Sequence, residues 1–272
     1  MKRIGPLLIN LALAIGAVVT LVPLLWMISA SLMPTGEATA FPPRLLPSRV
    51  TFEHYRDLLV GLRLARSFGN SMLIAVVSTL LSLFFNSMAG YAFAKLRFRG
   101  RDRIFTWLIA ALAIPAQIAM LPLFLLLKLM GLVNTYVGAM IPLMATIYGI
   151  FLVRQFMVSV PQDIINAARI DGANEWEIYW SVILPLARPV LATLAIFTFM
   201  SAWNDFMWPL IVLSDHRKYT MPVAIANLVG EHLQDLELMM ASSVITVIPV
   251  LVLFFVLQKQ YIAGVMAGSI KG

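Results

Sequence analysis

The chain has 272 residues, 61% hydrophobic and 12% charged, with a net charge of +7 and no cysteine. Soluble domains carry about 25% charged residues, so an ordinary water-soluble class is excluded and the chain belongs in lipid; with no cysteine, disulfides and thiol chemistry are excluded too. His54, His216 and His232 are too scattered for a metal-binding spacing, and the basic residues flank apolar runs, which fits membrane topology better than nucleic acid.

A spanning helix needs about 20 mostly apolar residues. In chain order the candidates are residues 7–32, 70–94, 104–127, 135–157, 189–213 and 240–258, which makes six spans and an all-α, polytopic membrane protein. The first follows Met1-Lys2-Arg3 and meets no charge before Glu37. Its apolar run exceeds the roughly 7–15 residues of a signal-peptide core, so it reads as a retained anchor. Residues 34–66 come next. Phe41-Pro42-Pro43 and Leu46-Pro47 predict polyproline turns, and Phe52 to Leu59 predict a short amphipathic helix along the membrane surface. Pro23, Pro115, Pro122, Pro142 and Pro249 fall inside candidate spans, where neighbouring helices can satisfy the freed carbonyls. They predict kinked, closely packed helices.

Lys95, Arg97, Arg99, Arg101 and Arg103 crowd the short connection between the second and third spans, which places that loop in the cytoplasm. Lys2, Arg3, Arg154, Arg169, Arg188, Lys259 and Lys271 then fall on the same side, and both termini with them. Within the spans, Gln117, Asn204 and Asp205 are candidates for a translocation path or gate, since an acid in a span normally faces a bundle interior or an aqueous cavity. Asp205 stands ~24 Å along its helix from Pro189, near the outer edge. A gating or structural role and direct solute contact both remain open for it. Gln117, with Asn70 and Asn86, can equally be hydrogen-bonding glue between helices. The outer residues 214–239 hold Asp215, Glu231, Asp235 and Glu237, read either as contacts for an outside partner or as a solvated connector.

The polar stretch 158–188 interrupts this apolar chain. Pro161 suits a first helical turn, Asp163 favours the helix dipole, and Ile164, Ile165 and Ala168 share a face. Asp171-Gly172 breaks that helix, because glycine takes the left-handed conformation cheaply. Asn174 with Glu177 has capping-box spacing and starts a second helix, which Leu184-Pro185 and Pro189 end. Helix, sharp turn and helix outside the bilayer make a shape for docking on a soluble partner.

Ala167, Ala168, Asp171, Gly172, Ala173, Ile183, Leu184 and Pro185 make this stretch resemble the EAA loop of permease subunits of binding-protein-dependent ABC importers, although Asn166 stands where that pattern has an acid. Trp203-Asn204-Asp205-Phe206 with Trp208-Pro209-Leu210 is similar to an element of the sugar-importing branch. The ending from Gly264 to Lys271-Gly272 resembles that of the maltose class. The resemblance implies a type I ABC importer permease fold, residues 1–272 as one transmembrane domain, and a carbohydrate cargo moved by alternating access in a bacterial or archaeal inner or plasma membrane. It implies Asn166, Ala167, Ala168, Ile170, Asp171, Gly172, Trp176, Leu184 and Pro185 as the ATPase-coupling loop. The implied partners are a second homologous permease, two ATP-binding cassette subunits, an extracytoplasmic solute-binding protein and membrane lipid, with no nucleic acid. No phosphate-binding loop occurs in the chain, and no nucleophile–base set stands out. It is therefore expected to be no enzyme and to bind no cofactor, with ATP and Mg held by the partner ATPases. A permease for glycerol-3-phosphate or another polyol is the alternative within the fold. An ion-coupled secondary transporter would need charges near the midplane, which this chain lacks. An intramembrane enzyme or a structural anchor lacks a catalytic constellation.

Overall fold

A computed structural model describes residues 4–42, 44–62, 64–231 and 235–269. Among these residues the chain is helical, with no strand. The helices are α1 (Ile4–Ala30), α2 (Glu53–Arg56), α3 (Leu64–Lys95), α4 (Arg101–Ala110), α5 (Ala116–Leu129), α6 (Tyr136–Met144), α7 (Ile147–Ser159), α8 (Gln162–Ile170), α9 (Glu175–Ile178), α10 (Leu184–Leu186), α11 (Arg188–Asn204), α12 (Met207–Val212), α13 (Met221–Glu231) and α14 (Leu236–Ser269). Helices long and apolar enough to cross a membrane are Ile9–Ala30, Leu64–Lys95, Tyr136–Ser159 and Leu236–Gln258. That is four, or up to six if each of two bent pairs is one span.

The expected 104–127 span is not one rod. It stops at Ala113 and restarts at Ala116 with a bend of 107°. Proline is the cause: Pro115 has no N–H to donate, and it forces the preceding Ile114 into the extended region at φ −86°, ψ 119°. Pro23, Pro122, Pro142 and Pro249 are instead carried inside helices. The expected 135–157 span contains a milder break at Ala145, and Thr146 caps the restart by accepting the Gly149 N–H at 3.0 Å. The expected 189–213 span opens at Asp205, which is extended between α11 and α12. α3 begins earlier than the apolar run, at Leu64. α14 runs on through Gly264–Ser269. Lys2, Arg3 and Lys271, counted in the topology, lie outside the described residues, as do Pro43 and Ile270–Gly272.

The described residues fall into two compact units. In the first, drawn from Met1–Ala65 and Ala224–Pro249, the expected short helix is found at α2 and continues as a π-helical turn, Asp57–Gly61. The segment before it is tied to the end of α1. Thr51 N–H donates to the Leu32 carbonyl at 2.9 Å, Ser31 and Tyr55 hydroxyls meet at 2.7 Å, and His54 Nε2 lies 2.9 Å from the Met33 carbonyl. Glu37 gathers Arg44 and both polar groups of Ser48 at 3.0 Å each. Glu237, one of the four outer acids, is fully buried and accepts the Ala38 N–H at 2.7 Å, so it offers nothing to an outside partner.

The second unit, Arg66–Val223 with Val250–Gly272, holds most of the membrane-length helices and the polar stretch 158–188. α3 crosses α7 closely at Gly90, where a Cβ would stand 2.7 Å from Val153 Cγ1. Asn86 ties α3 to the break before α7: its Oδ1 accepts the Thr146 N–H at 3.0 Å and its Nδ2 donates to Ser82 Oγ at 2.7 Å. Asn70 donates to the Arg217 and Tyr219 carbonyls and accepts the Tyr136 hydroxyl at 2.8 Å. Both asparagines are inter-segment glue.

Candidate functional site

The polar interruption folds as a hairpin. α8 ends in a Schellman motif: Ala173 N–H reaches back to the Ala168 carbonyl at 3.0 Å and Gly172 N–H to the Arg169 carbonyl at 3.1 Å. Gly172 has φ +88°, which glycine adopts without steric cost. No atom lies within 4 Å of where its Cβ would be, so the constraint is backbone conformation alone. Asn174 then opens α9 with a complete capping box: its Oδ1 accepts the N–H groups of Trp176 and Glu177 at 3.0 Å, and Glu177 accepts the Asn174 N–H at 2.8 Å. A π-helical turn, Tyr179–Ile183, and α10 complete the second arm, which meets α11 at 79°.

One buried cluster joins the hairpin to the membrane helices. It contains Ile165, Ile178, Tyr179 and Ile183 from the hairpin, Tyr91 from α3, Val153 and Met157 from α7, and Val190 and Leu194 from α11. Polar contacts reinforce it. Glu175 accepts from Arg169 at 2.7 Å and from the Tyr91 hydroxyl at 2.7 Å, linking α9 to α8 and α3. Tyr179 and Ser87 hydroxyls meet at 2.7 Å, and Lys95 Nζ donates to the Val160 carbonyl at 2.6 Å.

The other side of the hairpin is open and partly apolar. Ile170 is 86% exposed and Trp176 53% exposed, and Ala167 lies one turn before Ile170. Trp176 stacks on Tyr179, with ring centroids 5.7 Å apart. Ala168 and Leu184 are half-buried against the hairpin's own cluster, while Asp171 and Pro185 are exposed. Asn166 is exposed, and its Oδ1 accepts from Gln162 and Arg169 at 3.4 Å each.

Gln117, Asn204 and Asp205 are not hydrogen-bonded to one another. Gln117 is exposed just after the Pro115 break. Asn204 is exposed and donates to the Met200 carbonyl at 2.9 Å. Asp205 accepts the Trp208 N–H at 3.3 Å and so starts α12, a structural task at the break. A cavity of about 280 Å³ lies elsewhere in the same unit, lined by Leu143, Thr146, Tyr148, Leu194, Phe197, Thr198 and Ser201. Tyr148 and Phe197 meet edge to face at 5.9 Å, and Thr198 bonds Ser82 at 3.1 Å. Hydroxyls beside aromatic rings suit a neutral polyhydroxylated solute. Sequence reasoning missed these residues: serine, threonine and tyrosine inside apolar runs are too common to stand out.

Residues 86–265 match the family described as binding-protein-dependent transport system inner membrane component. The arabinooligosaccharides transport system permease protein AraQ of Halalkalibacterium halodurans is 37% identical over 268 residues, covering 97% of this chain and 96% of that one. The lactose transport system permease protein LacG of Rhizobium radiobacter is 30% identical, with 99% and 98% covered. A solved bacterial ABC transporter involved in import of the acidic polysaccharide alginate superposes with a TM-score of 0.83 at 28% identity, covering 96% of this chain and 97% of that one. A second, solved in complex with an alginate pentasaccharide-bound periplasmic protein, has a TM-score of 0.66 at 14% identity and shares the fold.

Proposed function

Since the chain belongs to the family of binding-protein-dependent transport system inner membrane components, we propose how its parts divide the work of an ATP-driven importer of sugars or oligosaccharides. The chain is the transmembrane permease subunit of that importer, a transport subunit and not an enzyme. It is a multi-pass membrane protein that works with a solute-binding protein. The observation that carries the mechanism is the hairpin: an open, partly apolar face on one side, packed through its other face onto α3, α7 and α11. ATP and Mg belong to two cassette subunits that dock on this face, and a second permease completes the pathway. Their approach and separation move the hairpin, and the two bundles rock between outward- and inward-facing states. The hairpin and both termini lie in the cytoplasm, a reading supported by the basic connection between α3 and α4.

The cargo reading rests on relatives named for arabinooligosaccharides, lactose and galactooligosaccharides, and it favours sugars over glycerol-3-phosphate. The hydroxyl-lined cavity is the wall of the path in this chain. The test is uptake by proteoliposomes holding the assembled importer and its binding protein. Labelled arabino- and galacto-oligosaccharides should enter with ATP hydrolysis. Uptake of glycerol-3-phosphate with none of the sugars would overturn the cargo, and uptake independent of ATP would overturn the mechanism.

A further inference from the structure

The connection between α3 and α4 forms a pocket to which the mechanism proposed above gives no task. It is a cavity of about 530 Å³ lined by Arg97, Phe98, Gly100, Arg101, Asp102 and Arg103. Its acid is already taken: Asp102 accepts from Arg101 Nε at 3.0 Å. Arg101 also reaches the Leu96 carbonyl at 3.3 Å. Arg97, Arg99 and Arg103 make no hydrogen bond or ion pair among the described residues, so the pocket holds unspent positive charge. Guanidinium groups at such a site match a phosphate, which they can grip with paired N–H donors.

Two further observations say what bears the phosphate. The pocket sits where the long apolar helix α3 ends, a position that the topology proposed above puts beside the cytoplasmic lipid headgroups. On α4, Ile104 is 50% exposed and Trp107 77% exposed; being three residues apart they share a face, and α4 is bent 107° away from α5. An acidic protein surface would satisfy the arginines and leave those side chains in water. A lipid satisfies both, with its phosphate in the pocket and its chains against Trp107 and Ile104. We propose that this pocket is a binding site for an anionic phospholipid, held by Arg97 and Arg103 and by the apolar face of α4.

The assembled importer in nanodiscs of phosphatidylcholine, with and without phosphatidylglycerol, provides the test. Lipid retained through purification is measured by mass spectrometry, alongside the thermal midpoint. Phosphatidylglycerol should be enriched over the bulk lipid and should raise the midpoint. A basic side chain at an anionic surface is worth about a fivefold change in affinity, so Arg97→Gln with Arg103→Gln should weaken retention roughly thirtyfold. Trp107→Ala keeps every charge and should weaken it less; it decides the matter if the double variant fails to insert. Retention unchanged in both variants overturns the proposal. So does equal stabilisation by inorganic phosphate without the lipid, which would mark a soluble-anion site. Loss of the ATPase subunits from the double variant with phosphatidylglycerol retention intact would assign the pocket to a protein and overturn it too.

Discussion

At Gly172 the hairpin depends on one backbone angle. A residue with a Cβ in the left-handed region costs about 1–2 kcal/mol, and Asn bears it better than most. With open space around Gly172, sterics cannot confuse the result. Gly172→Val should leave the protein in the membrane but lower solute moved per ATP hydrolysed in proteoliposomes, while Gly172→Asn should keep most of it; equal coupling in both would remove the turn from the mechanism. Asp215 offers a second residue-scale test, outside the spans. Its hydrogen bonds from the Arg217 side chain, and then from the Arg217 backbone, hold its carboxyl down at about 2. Because the folded value lies below the unfolded one, this contribution is full above the unfolded value of about 3.9 and fades as pH falls towards 2. Amide protection factors in residues 213–219, corrected for the intrinsic pH dependence of exchange, should hold down to about pH 4 and fall under stronger acid, and Asp215→Asn should remove that fall.

Elements differ in how plainly the sequence announces them. The hairpin was legible almost to the residue, because its rules are local: a left-handed glycine stops α8, and Asn174 with Glu177 starts α9. The breaks in the spans were not. Pro23 and Pro115 look alike in sequence, yet one is carried and the other divides its helix, since the outcome depends on what surrounds the freed carbonyls. The cavity was illegible for the same reason, as its lining comes from α6, α7 and α11 together with the break before α7. Glu175 shows what only the fold reveals: an acid to which the sequence assigns no role joins α8, α9 and α3. Its pair with Arg169 is half-exposed and contributes at most about 1 kcal/mol. Glu175→Gln keeps an acceptor for the buried Tyr91 hydroxyl and loses only the charge, so it should change the thermal midpoint little but lower transport per ATP, measured on the same preparation. A lower midpoint with an unchanged ratio would reduce Glu175 to a stabilising role.

For the whole molecule, orientation decides whether the hairpin can meet an ATPase. The chain lacks cysteine, so single introduced thiols report cleanly. A Cys at Asn174 should resist an impermeant reagent added outside intact cells, and one at Glu53 should react; the opposite pattern would place the hairpin on the wrong side. Leu194 has a consequence that reaches across this unit. It belongs both to the cluster beneath the hairpin and to the wall of the hydroxyl-lined cavity. Close-packed interiors are nearly incompressible, so the hairpin and the wall share one stiff body with little slack between them. Coupling through such a body is reciprocal: a sugar that changes the shape preferred by the wall biases the hairpin by the same free energy with which the hairpin biases the wall. Cargo in the path would then report its presence to the nucleotide-binding partners without any separate sensor.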